Sequence, residues 1–338
     1  MKILFSVNEL NYTCGVTNHI LNLTGELSKH KDILIYIICG GGNGIDRFSD
    51  PKIEVLQDRK FLHKNRSLIN YLSSIIFLVK FVKKNKINII HSHSHYSANI
   101  AYNASKLTRV NTIQTNHGIL AVQGMMNHLR AHRFISVNEH IYNYIINQNI
   151  TDKKNITLIR CGIPIPDKLP EKDFSKIKII AASRFTYEKG LDIYIKAVSK
   201  LPEHYKTIYE FCIAGEGELE KELKKLNDDL NTRITFLGRV MNIKDIFEKS
   251  HILVYPSRSR TEGFPAVITE AAAYNNLIIT SDFWGLGSVL KDSIDGLIFE
   301  VNNYENLSAK IKFALDNHDN LRLLSVNFYR KVKEMFNF

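Results

Sequence analysis

The sequence predicts an α/β protein of two doubly wound domains, and three observations carry that prediction. First, the chain of 338 residues is 44% hydrophobic, long enough for two cores of about 150 residues each, the size at which single cores usually stop growing. Second, short β-branched runs alternate with segments of helical apolar spacing along its length, as in βα units whose parallel sheets are covered on both faces. Third, Cys161-Gly-Ile-Pro-Ile-Pro-Asp167 interrupts the pattern near the middle, and its prolines suit neither a central strand nor a helix interior. The boundary is expected near Pro166. Residues 1–165, joined by a C-terminal helix at about 323–338, form one domain, and 166–322 the other. Two such domains facing each other leave a central cleft lined by the carboxyl ends of both sheets, where ligands are expected.

Taken in order, Met1–Val7 reads as a first strand that breaks at Asn8-Glu9, too early for the apolar region of a signal peptide. Strand-like runs follow at Ile33–Ile38, Asn88–His91, Asn111–Thr115, Arg133–Val137 and Ile156–Ile159. The second half repeats them at Ile177–Ala182, Tyr209–Ala214, Ile234–Leu237, Ile252–Tyr255 and Leu277–Thr280. The longest apolar window, Leu68 to Val82, contains Asn70, Ser73, Ser74 and Lys80 and falls short of the ~20 residues a membrane-spanning helix needs. Cys14, Cys39, Cys161 and Cys212 are widely spaced and form no Cys-x-x-Cys pair, which argues against a disulfide framework or a cysteine zinc site and for a reducing, cytoplasmic setting.

The net charge of +11 is confined to one half: residues 1–170 hold 21 Lys/Arg against 10 Asp/Glu, and residues 171–338 hold 24 of each. An anionic partner for the first half follows, with a membrane face, a phosphorylated acceptor and nucleic acid as alternatives. No nucleic-acid recognition motif accompanies the charge. The segment Arg59–Lys86 mixes Phe61, Tyr71, Phe77 and Phe81 with Lys60, Lys64, Arg66, Lys80, Lys83, Lys84 and Lys86. It reads either as a core helix with solvated lysines at its C-terminal end or as an interfacial helix whose Lys80, Lys83 and Lys84 contact an acceptor or a membrane.

Chemistry concentrates in Arg258-Ser-Arg-Thr-Glu262-Gly263-Phe264-Pro265-Ala-Val-Ile-Thr-Glu270, a strand-to-loop-to-helix passage. Pro265 suits the first helical turn, which puts Glu262 in the loop and Glu270 on the helix. The helix start between them is an anion site. Glu270 can accept hydrogen bonds from ribose hydroxyls and Glu262 from a sugar ring. Upstream, Arg184 and Lys189 share a loop after a strand and could clamp a diphosphate, stabilising the charge that builds as a glycosidic bond to it breaks. In His91-Ser-His93-Ser-His95, three imidazoles fall on one face if the run stays extended, a geometry metals can use, although loop contacts or packing are the favoured reading.

Arg184-x4-Lys189-Gly190, Ile213-Ala-Gly-Glu-Gly217, Phe236-Leu-Gly238 and Tyr255-Pro-Ser ahead of Glu262-x7-Glu270 resemble, in order and spacing, the retaining family-4 glycosyltransferases of the GT-B fold. The likeness covers the second half closely and the first more loosely, through Cys14-Gly15-Val16, Ile90-His91-Ser-His93 and Thr115-Asn-His117-Gly118. It departs from the family where Cys14-Gly15 stands in place of a Gly-Gly pair and where the Gly-Gly expected after Leu277–Thr280 is replaced within Asp282-Phe-Trp284-Gly285-Leu-Gly287.

The resemblance implies two Rossmann-like domains, an acceptor half and a donor half. Arg184 and Lys189 would hold the donor diphosphate, Glu270 the ribose, and Glu262 and His117 the transferred sugar. Gly238, Arg239 and Val240 would meet the base, with Gly15, Gly215, Gly263, Phe264 and Pro265 completing the donor site. No cofactor or metal is implied. The expected activity is retaining transfer of a hexose or N-acetylhexosamine from a nucleotide-diphosphate sugar, UDP by default, to a saccharide or lipid-linked saccharide in bacterial cell-surface polysaccharide synthesis, on the inner membrane face. A sugar-nucleotide epimerase and a non-catalytic sugar- or partner-binding subunit are the alternatives.

Overall fold

The computed structural model describes residues 1–12, 14–119, 128–261, 263–284, 286–287 and 289–337. The chain divides into two compact units, Met1–Gly162 and Ile163–Phe338.

The first unit runs β1 (Lys2–Ser6), α1 (Gly15–Ser28), β2 (Leu34–Cys39), β3 (Ile53–Gln57), α2 (Leu68–Asn85), β4 (Ile89–Ser92), α3 (His95–Thr108), β5 (Asn111–Asn116), β6 (Arg133–Ser136), α4 (Glu139–Asn147) and β7 (Ile156–Leu158). Its seven strands lie in the order β3-β2-β1-β4-β5-β6-β7, all paired in parallel. Alternation along β1 shows why its residues are nearly all apolar. Leu4 packs in the layer of Leu78, Val82 and Ile100, and Ile3 and Phe5 pack in the opposite layer with Ile20. A strand covered on both faces has no polar side to display.

Helix α2 starts at Ser67, whose Oγ accepts the N–H of Asn70 at 3.1 Å, and ends at Lys86 in the left-handed region with φ +55°. Its buried side is Tyr71, Ser74, Leu78 and Val82. Ile69, Leu72 and Ile76 stand exposed on the other side, followed along the same face by exposed Lys80 and Lys83.

The second unit runs β8 (Lys178–Ala182), α5 (Leu191–Ser199), α6 (Glu203–Ile208), β9 (Glu210–Ala214), α7 (Glu220–Asp229), β10 (Thr235–Gly238), α8 (Ile243–Lys249), β11 (Ile252–Tyr255), α9 (Ala266–Ala273), β12 (Leu277–Ser281), β13 (Leu297–Phe299), α10 (Tyr304–Asp316) and α11 (His318–Phe336). Its parallel sheet has the order β10-β9-β8-β11-β12-β13. Ile179 and Ala181 pack on one face with Tyr194 and Leu307, and Ile180 and Ala182 on the other with Ile268 and Phe328.

The structure adds β3 and β13 to the strands expected from sequence; both are edge strands. It also counts α11 with the second unit, packed against α9 and β12, where the sequence expectation joined the C-terminal helix to the first. The four cysteines are free. Among the described residues, no helix is long and apolar enough to cross a membrane.

Candidate active site

Where the strand order of a doubly wound sheet reverses, the loops at the carboxyl ends diverge and leave room for a ligand. In the second unit the reversal falls between the hydrogen-bonded neighbours β8 and β11. The segment after β8 carries Arg184 and Lys189, and the segment after β11 leads through Arg258, Gly263 and Phe264 to α9.

Backbone and side chain stitch these two segments together. Ser257 Oγ and the Arg258 N–H both donate to the Glu188 carbonyl, at 3.2 and 2.7 Å. The Arg258 guanidinium forks onto both Asp192 carboxylate oxygens at 2.7 and 2.8 Å, donates to the Tyr187 carbonyl at 3.0 Å and lies 4.6 Å from the Tyr187 ring centroid. Burial pushes the Asp192 carboxyl up, but the hydrogen bond and charge of Arg258, with help from Lys196, hold it below the usual carboxylate range. Gly190 has φ +64°, and a Cβ there would meet the Pro256 carbonyl oxygen at 2.0 Å. Only glycine lets the two segments approach this closely.

Within that frame Lys189 Nζ donates to the Tyr255 hydroxyl at 3.0 Å and sits 5.5 Å from the ring centroid. Tyr255 ends β11 and is buried, so the ammonium is held at the strand end. Arg184 is exposed on the same loop. Pro265 is the residue before the helix rather than in its first turn, with ψ 127°, and α9 starts with neither a side-chain cap nor an acidic first turn. Its first N–H groups therefore keep their capacity for an anion. Glu270 lies half-buried on the second turn. Glu262 lies outside the described residues.

Three expected donor residues have packing roles here. Gly215, with φ +136°, closes on the loop after β8: its Cβ would lie 1.9 Å from the Ser183 carbonyl oxygen. Phe264 stacks on Phe336, with centroids 5.6 Å apart. Val240 packs in the core of the unit, while Arg239 beside it places Nε 3.7 Å from Glu216 Oε1. Gly238 has φ +64°, and Gly263 is buried.

In the first unit the strand order reverses between β1 and β4. Cys14 precedes α1 and Gly15 is its first residue; a Cβ on Gly15 would meet nothing within 4 Å, so packing does not demand glycine there. The extended run of histidines stops at β4, because His95 opens α3, where its Nδ1 meets Gln114 Nε2 at 2.9 Å.

His93 instead faces His117, just past β5, with Nδ1 and Nε2 3.1 Å apart. His19, on α1, completes a cluster, its ring centroid 5.4 Å from His93 and 5.0 Å from His117. His91 packs 4.4 Å from His93 and hydrogen-bonds Thr115 Oγ1 at 2.7 Å. Cys161 Sγ lies 4.0 Å from His117 Nδ1. Burial lowers the pKa of His19 to about 4 and that of His91 to about 3, and drives His93 and His117 well below the ordinary imidazole value, with neighbouring histidines adding to the effect at the last three. The rings are neutral at physiological pH.

Sequence reasoning did not pick out His19, Cys161 or the Arg258–Asp192 pair. His19 had a readable signal: four residues past Gly15, it stands one turn into the helix that follows the first strand.

Structures that share this architecture include a glycosyltransferase from Rickettsia africae, with TM-score 0.80, 20% identity and coverage of 99% of this chain and 94% of that one. Anabaena HepE in complex with UDP-glucose is another, with TM-score 0.83, 16% identity and coverage of 100% and 96%. The fold is that of the GT-B glycosyltransferases. Residues 13–165 match the family model described as Glycosyltransferase Family 4, and residues 166–331 match Glycosyl transferases group 1.

The chain belongs to the family-4 glycosyltransferases. Among its curated relatives, the Campylobacter jejuni GalNAc-alpha-(1->4)-GalNAc-alpha-(1->3)-diNAcBac-PP-undecaprenol alpha-1,4-N-acetyl-D-galactosaminyltransferase is 24% identical over 97% of this chain and 92% of its own length. The Escherichia coli UDP-Gal:alpha-D-GlcNAc-diphosphoundecaprenol alpha-1,3-galactosyltransferase is 25% identical over 92% and 87%.

Proposed function

We propose that this glycosyltransferase moves a hexose or N-acetylhexosamine, with retention of configuration, from a UDP-sugar to a lipid-linked saccharide in the synthesis of a bacterial cell-surface polysaccharide. The observation that carries the reading is the stitched pair of loops at the β8/β11 reversal, one of which carries Arg184 and Lys189 while the other leads to the uncapped start of α9 and to Glu270. The named relatives support the choice of donor and acceptor.

In this reading the acceptor hydroxyl attacks the anomeric carbon on the face from which the diphosphate leaves, and a departing phosphate oxygen takes its proton. Arg184, Lys189 and the start of α9 offset the charge growing on the diphosphate. Glu270 holds the ribose, Glu262 positions the sugar, and neutral His117 orients it by hydrogen bonding. Transfer itself needs no metal. Removing one preplaced charge partner typically lowers kcat by about 10²–10³.

The stripe Ile69, Leu72, Ile76, Lys80 and Lys83 on α2 supports a cytoplasmic enzyme resting on an anionic membrane, with apolar side chains in the interface and lysines at the headgroups.

The test incubates the protein with radiolabelled UDP-sugars and undecaprenyl-diphosphate saccharides, and reads the product's anomeric configuration by NMR. Transfer with an α linkage from an α donor, reduced about 10²-fold or more in Arg184→Ala and bound less tightly in Glu270→Ala, is expected. Binding of no sugar nucleotide, or an unaltered Glu270→Ala variant, would overturn the donor site.

A further inference from the structure

We propose that His19, His93 and His117 of the first unit form a binding site for a divalent transition-metal ion of the zinc class. One ring nitrogen from each of the three lies within 4.8 Å of the other two. A tetrahedral ion with metal–nitrogen bonds of about 2.0–2.1 Å sets its ligand nitrogens about 3.3–3.4 Å apart. His93 Nδ1 and His117 Nε2 are already 3.1 Å apart. Closing the wider spacings takes a swing of the His19 ring, which is only partly enclosed on the helix that carries it.

The chemistry of the cluster suits an ion better than it suits an all-protein network. Buried histidines are usually matched to a carboxylate or a carbonyl. Among the described residues the rings around His93 pack on one another, and His19 Nδ1 is buried with no hydrogen-bond partner. An unmatched buried acceptor costs about 1–3 kcal/mol, and a metal ion would use the His19 lone pair directly.

On coordination the proton shared between His93 Nδ1 and His117 Nε2 moves to an outer ring nitrogen. Coordination requires the tautomers with the proton on His93 Nε2 and on His117 Nδ1, and the latter faces Cys161 Sγ at 4.0 Å. Three imidazoles leave a fourth position for water or a ligand oxygen, the pattern of an open zinc site. The ion also takes up His117 Nε2, so zinc should suppress transfer. That last consequence alone rests on the transferase reading.

The experiment titrates tag-free, chelator-stripped protein with Co²⁺ and then Zn²⁺, and reads visible d–d absorption, which requires no activity. One equivalent of Co²⁺ with intense tetrahedral bands, displaced by Zn²⁺ and bound at least about hundredfold more weakly by His19→Gln and His93→Gln, is expected. His19 is only partly enclosed on α1, so His19→Gln decides the matter if His93→Gln does not fold. No Co²⁺ spectrum from the wild type, or wild-type affinity in folded His19→Gln, would overturn the site. Sugar-nucleotide binding is measured separately, so the two readings fail independently.

Discussion

Arg258 serves two loops with one guanidinium, and the arithmetic of burial says what its loss should do. Its side chain is 12% exposed and that of Asp192 28%. Arg258→Ala therefore strands a mostly buried carboxylate, with Lys196 as its remaining cation, and should cost about 1–3 kcal/mol of stability in urea denaturation. Arg258→Lys should recover only part of this, because a point charge cannot fork onto both carboxylate oxygens. The same pair sets a pH dependence. Since Asp192 titrates below its unfolded value, its contribution is complete above the unfolded pKa near 4 and is lost as the pH falls through the lower folded value. Acid unfolding of Arg258→Ala should show a smaller loss in that window than the wild type. Arg258 lies in the most informative stretch of the sequence, yet its role was not legible there, because its partner is 66 residues away and nothing local marks the pairing. That Lys189 follows a strand was legible, since the apolar run Ile177–Ala182 ends just ahead of it.

At the level of elements, most strands could be read directly, because a strand buried on both faces is a short, nearly continuous apolar run. The two strands that escaped notice lie at the sheet edges. Ile53–Gln57 is interrupted by Glu54 and ends on Gln57, and Leu297–Phe299 is only three residues long. Helix α2 was legible as a helix, but which of its apolar residues face outward was not, since eight or more compete for one buried stripe. The structure settles this, with Ile69 81% and Ile76 57% exposed. Each basic residue close to an anionic bilayer contributes about 1 kcal/mol. Replacing Lys80, Lys83 and Lys84 by alanine should thus weaken partition onto phosphatidylglycerol vesicles by roughly hundredfold in a sedimentation assay. Equal sedimentation of the two proteins would remove the membrane role from this helix.

For the molecule as a whole, the paired prolines marked the change from one sheet to the next, but not where the last helix belongs. The apolar side of α11 could in principle have served either core, and only packing against α9 and β12 decides it. Each unit carries its own apolar layers, so a ligand of one need not tighten the other. A sugar nucleotide at about 100 times its Kd adds about 2.7 kcal/mol to whatever it binds. Hydrogen exchange with UDP alone should accordingly slow around β8, α5 and α9 and leave the loops of the first unit unchanged, whereas the full UDP-sugar should also slow exchange near His117. Protection confined to the first unit would reverse the assignment of donor and acceptor halves. The uniform direction of β8 to β13 has a practical meaning as well. Every segment of the second unit that carries a candidate donor residue emerges at one edge of that sheet, and the turn at 228–233 lies at the other. A dye or affinity handle fixed to that turn should report on the protein without touching its chemistry, and loops at the working edge can be exchanged to alter which sugar is accepted while the sheet beneath is left as it is.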